Sequence, residues 1–246
     1  MEIIDQINEK IDNYHTSTNY TPLKVVFEVD SPIYLTSPFL HLDSLLGYLC
    51  MRDALGELFY CTPSEIVLPI DNLELPVETT DDVNHTSVGI FDSAKLYKQT
   101  IYKRFTDKQI HTVNPKKYKK LRVGSGYFKG FMINLPAILC NTITFYCKGD
   151  KEELERLLPN LSHLGKKPAV GGGHIKSCSI CEVDDDYSFI KDDEIMRPIP
   201  VDFAENNLDI SLKGGMVIQR RTYKPSYWDK SSACMCYTPN SQISII

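Results

Sequence analysis

The chain has 246 residues, of which 42% are hydrophobic, and a formal net charge of −5 at pH 7. This length fits one large domain or two small ones, and the negative charge argues against a protein that binds nucleic acid over its whole surface. No apolar run reaches the roughly 20 residues that a membrane helix needs, and the polar N-terminus is unlike a signal peptide, so we expect a cytoplasmic protein with no membrane partner.

Apolar periodicity predicts a series of helices and strands. The isoleucine stripe of residues 1–13 predicts a short amphipathic helix that docks on the chain's own core or on a neighbour. Asp150 is expected to cap the second long helix. The further predictions, in chain order, are a strand at 23–29, a helix at 41–59, a strand at 65–70, an extended basic arm at 95–122, a glycine-broken edge strand at 123–130, a strand at 141–148, a helix from 151, and strands at 175–183, 215–221 and 233–238.

This order of strand, helix, strand, insertion, strand, helix and strand predicts an α+β chain with a ferredoxin-like (RRM-like) fold. We expect residues 1–195 to form that domain together with the N-terminal helix and a basic insertion at about 80–130. Residues 196–246 are expected to add a C-terminal β extension packed on the same domain.

The charges are unevenly distributed. Residues 95–129 carry eleven Lys or Arg and a single acid, whereas residues 182–194 carry seven acids and one lysine. The basic arm is either a solvated segment or an RNA clamp, in which tyrosines such as Tyr102 stack on unpaired bases. We favour the clamp, and its candidate phosphate contacts are Lys116, Lys117, Lys119, Lys120, Arg122 and Lys129.

A glycine-rich segment lies between the second long helix and the strand at 175–183. Glycine permits positive φ, and successive amides that point the same way form an anion-binding concavity, to which lysine adds charge. The alternative is an ordinary helix C-cap and turn at Gly165. We favour phosphate contact, and the candidates are Gly165, Lys166, Lys167, Gly171, Gly172, Gly173 and His174.

Three other residues stand out. Arg197 lies between hydrophobic stretches and is expected to bind either a carboxylate or a phosphate. His41 opens a predicted helix, where it either caps the helix, contacts RNA or lies in the core; we favour a structural role. Trp228 is the single tryptophan, and we favour a core anchor over a stacking platform.

The eight cysteines are spread over a chain without an export signal, so we expect reduced thiols rather than disulfides. A structural zinc site of Cys178, Cys181, Cys234 and Cys236 is disfavoured. The first pair lies at i and i+3 on a predicted strand and therefore points to opposite faces. We expect neither a metal nor a cofactor.

Several of these motifs together resemble the RAMP superfamily of CRISPR effector proteins, in which a glycine-rich loop follows the last helix of a ferredoxin-like fold and touches RNA. Local segments are similar to the Type IV CRISPR subunit that caps the 5′ end of the guide RNA, and the resemblance covers about residues 31–238. Pro168 and Gly172 depart from its pattern, which has a basic and an aromatic residue there. The segments are 38–46 (PFLHLDSLL), 126–132 (GYFKGFM), 161–167 (LSHLGKK), 196–200 (MRPIP) and 227–228 (YW).

The resemblance implies a non-catalytic RNA-binding subunit that holds the 5′ handle of the CRISPR RNA, with the inserted arm acting as a thumb. Its implied partners are adjacent backbone RAMP subunits, a large or target-binding subunit and, indirectly, the target nucleic acid. One alternative is a metal-independent repeat endoribonuclease that uses His41, His174 and Lys167, although nothing in the sequence joins them. The other is a protein-interaction module without RNA contact.

Overall fold

The computed structural model describes residues 3–35, 37, 39–63, 65–106, 109, 112–113, 122–208, 217–240 and 244–245. Lys116, Lys117, Lys119 and Lys120 lie outside these residues. No helix in the described part of the chain is long and apolar enough to cross a membrane.

The described elements form a mixed α+β chain with mainly antiparallel pairing between its strands. The helices are α1 Ile3–Asp12, α2 Leu42–Leu55, α3 Glu57–Cys61, α4 Lys151–Leu157 and α5 Val201–Asn207. The strands are β1 Tyr20–Val29, β2 Ile33–Tyr34, β3 Thr79–Thr80, β4 Val83–Asn84, β5 Ile90–Phe91, β6 Lys95–Lys103, β7 Phe131–Leu139, β8 Thr142–Asp150, β9 Ile175–Glu182, β10 Ile190–Lys191, β11 Glu194–Ile195, β12 Ile199–Pro200, β13 Val217–Thr222, β14 Ala233–Thr238 and β15 Ser244–Ile245.

The central sheet has the strand order β5-β8-β1-β9, and every neighbouring pair is antiparallel. Alternate residues of β1, such as Val25 and Phe27, are fully buried because successive side chains of a strand point to opposite faces. Phe27 meets Phe145 of β8 edge to face, with ring centroids 5.8 Å apart. If the four strands are numbered by their order in the chain, the sheet reads 4-1-3-2.

Two helices lie between these strands in the sequence, α2 between β1 and β5 and α4 between β8 and β9. Their buried leucines belong to the same hydrophobic core as the inward side chains of β1 and β8. The Asp150 side chain accepts a hydrogen bond from the Glu153 amide at 3.1 Å, which confirms the predicted cap of α4.

The predicted N-terminal helix is confirmed as α1. Its Ile7 and Ile11 are only 1% and 2% exposed and belong to the main core. Burial of two isoleucines contributes about 3–6 kcal/mol of hydrophobic stabilisation. The isoleucine stripe therefore docks on the chain's own core.

A second sheet is built around a long hairpin of β6 and β7, whose register pairs Lys95 with Leu139 and Lys103 with Phe131. The extended arm predicted at 95–122 is confirmed for β6, whose partner strand β7 lies beyond that range. Strand β2 joins the base of the hairpin, with Tyr34 opposite Ala137. The sheet order is β15-β6-β7-β2.

The C-terminal part forms a small antiparallel sheet in the order β12-β14-β13, which confirms the two predicted strands there. A second hydrophobic cluster includes Val83 and Phe189 together with Ile199 and Phe203. This cluster joins residues from both sides of position 195. The division of the chain at that position stays a prediction.

Three predictions of secondary structure were wrong. Residues 65–70 form no strand, because Ile66, Leu68 and Ile70 pack against the main core without pairing to a neighbour. Residues 123–130 contain turns and a short 3-10 helix, Gly126–Phe128, so β7 begins only at Phe131. The helix predicted over 41–59 breaks at Gly56, whose φ of 57° separates α2 from α3.

Candidate nucleic-acid interface

The glycine loop, residues 163–174, is a compact turn between α4 and β9. Lys167 and Gly171 both adopt the left-handed conformation, with φ of 65° and 79°, and they flank a single 3-10 turn at Pro168–Val170. Positive φ is uncommon for a residue other than glycine, and it costs lysine about 1–2 kcal/mol. The conformation of Lys167 is therefore imposed by the surrounding loop.

The amides of Gly171, Gly172, Gly173 and His174 are bonded within the protein. The amides of Gly171 and Gly172 donate to the carbonyls of Pro168 and Lys167 at 2.9 and 3.1 Å. Gly173 donates to the Pro32 carbonyl at 2.8 Å, and the His174 amide donates to Ser31 Oγ at 2.7 Å. The expected phosphate contact is therefore corrected for the amides of Gly171, Gly172 and Gly173, because these donors are already used.

Close packing explains the glycines instead. A Cβ at Gly173 would lie 1.9 Å from the Leu164 carbonyl oxygen, and one at Gly172 would lie 2.5 Å from the Tyr34 ring. Gly172 and Gly173 are also buried, so neither presents a surface to RNA. The Tyr34 ring occupies the space into which a side chain at position 172 would project, so this packing requires glycine there.

The exposed surface of the loop is basic. Gly165, Lys166, Lys167 and Gly171 are all exposed, and the two lysine side chains are its positive groups. His174 is half exposed, and its Nδ1 lies 2.9 Å from Asp30 Oδ1. The loop can therefore contact a polyanion through two lysine charges on a hydrogen-bonded turn.

The glycine loop is joined to the hairpin through β2. The Lys166 amide donates to the Tyr34 carbonyl at 2.8 Å, and Tyr34 in turn pairs with Ala137 of β7. Ala137 lies opposite Tyr97 of β6. One ladder of backbone contacts thus runs from the loop lysines into the base of the hairpin.

The hairpin extends this basic surface away from the core. Phe131 lies six residues beyond Ala137 along β7, which corresponds to about 20 Å. Every described Lys and Arg in this region is exposed, namely Lys95, Lys98, Lys103, Arg104, Arg122 and Lys129. Large apolar side chains are interleaved with them: Tyr102 and Met132 are cross-strand partners that are 76% and 72% exposed.

Arg197 has no surface for RNA. Its side chain is 1% exposed, and Nη2 donates to Asp43 Oδ2 at 3.1 Å in the interior. The same guanidinium donates to Thr86 Oγ1 at 2.8 Å and to the carbonyls of Asn84 and Tyr223. Of the two predicted ligands, the carboxylate is confirmed. The predicted phosphate contact is wrong, because the guanidinium is buried.

Tyr227 completes this buried cluster. Its hydroxyl donates to Asp43 Oδ2 at 2.8 Å, and it accepts from Arg197 Nη2 at 3.0 Å. Burial, together with the nearby Asp43 carboxylate, raises the pKa of Tyr227 well above its ordinary value. The phenol therefore stays protonated, as its role as a donor to Asp43 requires.

His41 is a core residue rather than an RNA contact. It is 8% exposed, and its ring stacks on Tyr227 with centroids 3.6 Å apart. Burial, helped by the Arg197 charge, lowers the pKa of His41 from 6.5 to about 3. A neutral, enclosed imidazole neither attracts phosphate nor serves as a general acid near neutral pH, so the predicted RNA contact is corrected in favour of the structural alternative.

The matching family is a CRISPR one. A family model described as CRISPR type IV associated protein Csf3 matches residues 82–239, more than half of the chain. The chain belongs to this family. Membership supports the function class of a CRISPR effector subunit, and the matched range includes the hairpin, the glycine loop and Arg197.

Other comparisons add little. No curated protein matches the chain. Among solved structures, a chain of the cryo-EM structure of the Type III-B Cmr-beta bound to cognate target RNA is similar, with 10% sequence identity and a TM-score of 0.36. The match covers 73% of this chain and 65% of that one, less than two thirds of its length. A similarity this weak carries no argument about function.

The cysteine pairs lie in different sheets. Cys178 pairs with Phe27 and is half-buried, whereas Cys181 is exposed opposite Lys24. Cys234 and Cys236 share a face of β14, with their sulfur atoms 3.5 Å apart. In the described part of the chain, no group of three His, Cys, Asp or Glu residues is arranged to hold a metal ion.

Sequence reasoning missed two features of the site. Tyr34 supports the glycine loop from a two-residue strand, which carries almost no periodic signal. Trp228 is 73% exposed, so the predicted core anchor was wrong. The adjacent Tyr227 fills the interior position instead. The YW motif indicates one buried aromatic residue, but the sequence does not say which of the two is buried.

Proposed function

We propose that this chain is a non-catalytic RNA-binding subunit of a type IV CRISPR effector complex, where it caps the 5′ handle of the CRISPR RNA. The observation that carries the proposal is that the exposed Lys166 and Lys167 are joined, through the backbone ladder at Tyr34, to a hairpin whose described lysines and arginines are all exposed. Contacts of lysine with phosphate position RNA without reading its sequence.

The proposal includes a ferredoxin-like RAMP domain. The strand order 4-1-3-2, with one helix between the first two strands and another between the last two, supports that assignment. In this arrangement the glycine loop lies between the second helix of the domain and its last strand. The C-terminal sheet is the β extension of the same subunit.

The hairpin also carries the proposed contact with an adjacent backbone subunit. Phe131 and Ile133 are 43% and 38% exposed, in addition to Tyr102 and Met132. Phe131 and Ile133 point to one face of the hairpin and Tyr102 and Met132 to the other, and exposed large apolar residues on a projecting hairpin are typical of a protein interface. We propose that the same complex contains a large or target-binding subunit. That subunit binds the target nucleic acid, so this chain contacts the target only indirectly.

Two observations support a non-catalytic role over an endoribonuclease. His41 is enclosed and uncharged near neutral pH, whereas Lys167 and His174 lie on the exposed loop. In the described residues, no hydrogen bond or ring contact joins His41 to either of them. A general acid and base for RNA cleavage would need to converge on one bound 2′-hydroxyl.

The salt dependence of RNA binding tests the proposal. The affinity of the full chain for a labelled single-stranded handle RNA should fall with salt, with a log–log slope of about −0.7 per phosphate contacted. Replacing Lys166 and Lys167 together by alanine should make the slope less steep by about 1.4, because two contacts are lost. Replacing Lys10, which is exposed, and Lys151, which is partly exposed, by alanine is the charge-matched control and should leave the slope near the wild-type value.

An unchanged slope in the Lys166→Ala, Lys167→Ala protein would remove the glycine loop from the interface. Incubation of the same RNA with the wild-type chain in EDTA tests the second part of the proposal. Cleavage that disappears in a His174→Ala variant would overturn the non-catalytic role.

A further inference from the structure

Trp228 occupies an unusual position for the single tryptophan of a chain. Its side chain is 73% exposed, although tryptophan is on average one of the more buried residue types. No hydrogen bond or ring contact connects its indole to another residue in the part of the chain that the structure describes. The ring therefore contributes little to the folded core.

The loop that carries Trp228 is nevertheless held firmly. It connects β13 to β14, and the neighbouring Tyr227 hydroxyl is bound in the interior by Asp43 and Arg197. The Tyr223 carbonyl accepts a hydrogen bond from Arg197, and Pro225 is buried. Anchors on the N-terminal side of Trp228 thus fix its backbone while its ring points to solvent, so little conformational entropy is lost when a ligand binds the ring.

The segment that carries Trp228 is basic, although its Lys224 is paired with Asp82 at 3.1 Å. Residues 217–232 contain Arg220, Arg221, Lys224 and Lys230 and a single acid, Asp229. Arg220, Trp228 and Lys230 are all exposed. A flat aromatic face within a basic surface matches a nucleobase flanked by phosphates, because every base has a π-face and every linkage a negative charge.

We propose that Trp228 is a stacking platform for an unpaired nucleobase, in a second nucleic-acid contact that is separate from the glycine loop. The ligand is a base of a single strand or an exposed strand end, and both RNA and DNA carry that chemistry. The site is formed by the loop between β13 and β14, with Arg220 and Lys230 as the flanking phosphate contacts.

Because the chain has one tryptophan, its fluorescence reports on this site alone. Short single-stranded RNA and DNA oligonucleotides of the same base sequence, titrated separately, should quench the Trp228 emission and protect it from acrylamide. Whichever strand quenches at the lower concentration identifies the source of the base. Quenching should persist in the Lys166→Ala, Lys167→Ala protein, so failure of the glycine-loop proposal and failure of this one are distinguishable.

Substitution provides the second measurement. Trp228→Leu should weaken binding of the quenching oligonucleotide by about 5-fold or more, the effect of one lost base stack. Trp228→Phe, which keeps a ring, should lose less. The matched control is Tyr60→Leu, because Tyr60 is 72% exposed in α3 and lies outside the basic loop.

The contrary results are equally clear. Fluorescence anisotropy of a labelled oligonucleotide that shows saturated binding while the Trp228 emission is unchanged would overturn the proposal. So would equal affinities for the wild type and Trp228→Leu. A shift of the emission that occurs only when another protein subunit is added would assign the ring to a protein interface instead.

Discussion

The glycine loop and the Arg197 cluster both combine basic residues with a pattern that predicts phosphate binding, yet the structure treats them in opposite ways. Lys166 and Lys167 are exposed on a turn in which the amides of residues 170–173 already bond to carbonyls of the protein. Arg197 is enclosed, and its charge is balanced by Asp43. The difference shows that a basic motif predicts an anionic ligand without saying where that ligand comes from. Burial and the identity of the partner decide whether the anion is a bound molecule or a carboxylate of the protein itself.

The largest expected effect comes from breaking the buried pair. Asp43→Ala should lower the free energy of unfolding by about 3–5 kcal/mol, because it leaves the Arg197 guanidinium buried without a counter-charge. Denaturant unfolding measures this change. The control is Asp53→Ala, which breaks the half-exposed pair of Asp53 with Arg156 and should cost about 1 kcal/mol or less. Equal losses for the two variants would contradict the account of Arg197 as a buried cation.

The glycines of the loop allow a similar contrast. Gly173→Ala should destabilise the protein by roughly 2–5 kcal/mol, since it adds both left-handed strain and a clash with the Leu164 carbonyl. Gly171→Ala should cost only about 1–2 kcal/mol, because its φ is similar but no atom lies within 4 Å of the added Cβ. Thermal and denaturant unfolding check both values. If the two variants lose the same stability, close packing is not the reason for Gly173.

The smallest effect is a dependence on pH. The folded-state pKa of His41 is about 3, below its ordinary 6.5, so the unfolded chain binds the extra proton between these values. Stability from this group is fully present above pH 6.5 and is lost as the pH falls toward 3, with a slope of at most about 1.4 kcal/mol per pH unit. His41→Phe should remove this part of the slope, measured as the free energy of unfolding between pH 6.5 and 4.5. An identical slope in both proteins would contradict the enclosed position of His41.

The elements that could be predicted from the sequence are those with a long and regular signal. Strands β1, β8 and β9 and helix α4 with its Asp150 cap have clear periodicity or a cap residue. Strand β5 has only two residues, and the stronger alternation at 65–70 reflects packing on the core without pairing. Periodicity therefore predicted burial correctly but not hydrogen-bonding partners.

The candidate site was predictable only in outline. The loop lysines and the basic hairpin follow from composition and spacing, because exposed charges need no specific partner. Arg197 and Asp43 are separated by 154 residues in the chain, so a single sequence contains no signal for their contact. The conformations of Tyr34 and Trp228 likewise depend on tertiary packing that local propensity does not encode.

The most direct test of the central claim is to locate the glycine loop on the guide RNA. A photo-crosslinker attached at a Lys167→Cys substitution, in a chain whose exposed Cys61 and Cys181 are replaced by serine and in the assembled effector complex, reacts with whichever nucleotides lie beside the loop. The account predicts crosslinks confined to the 5′ handle. Crosslinks within the target-pairing segment, or none to RNA, would contradict it.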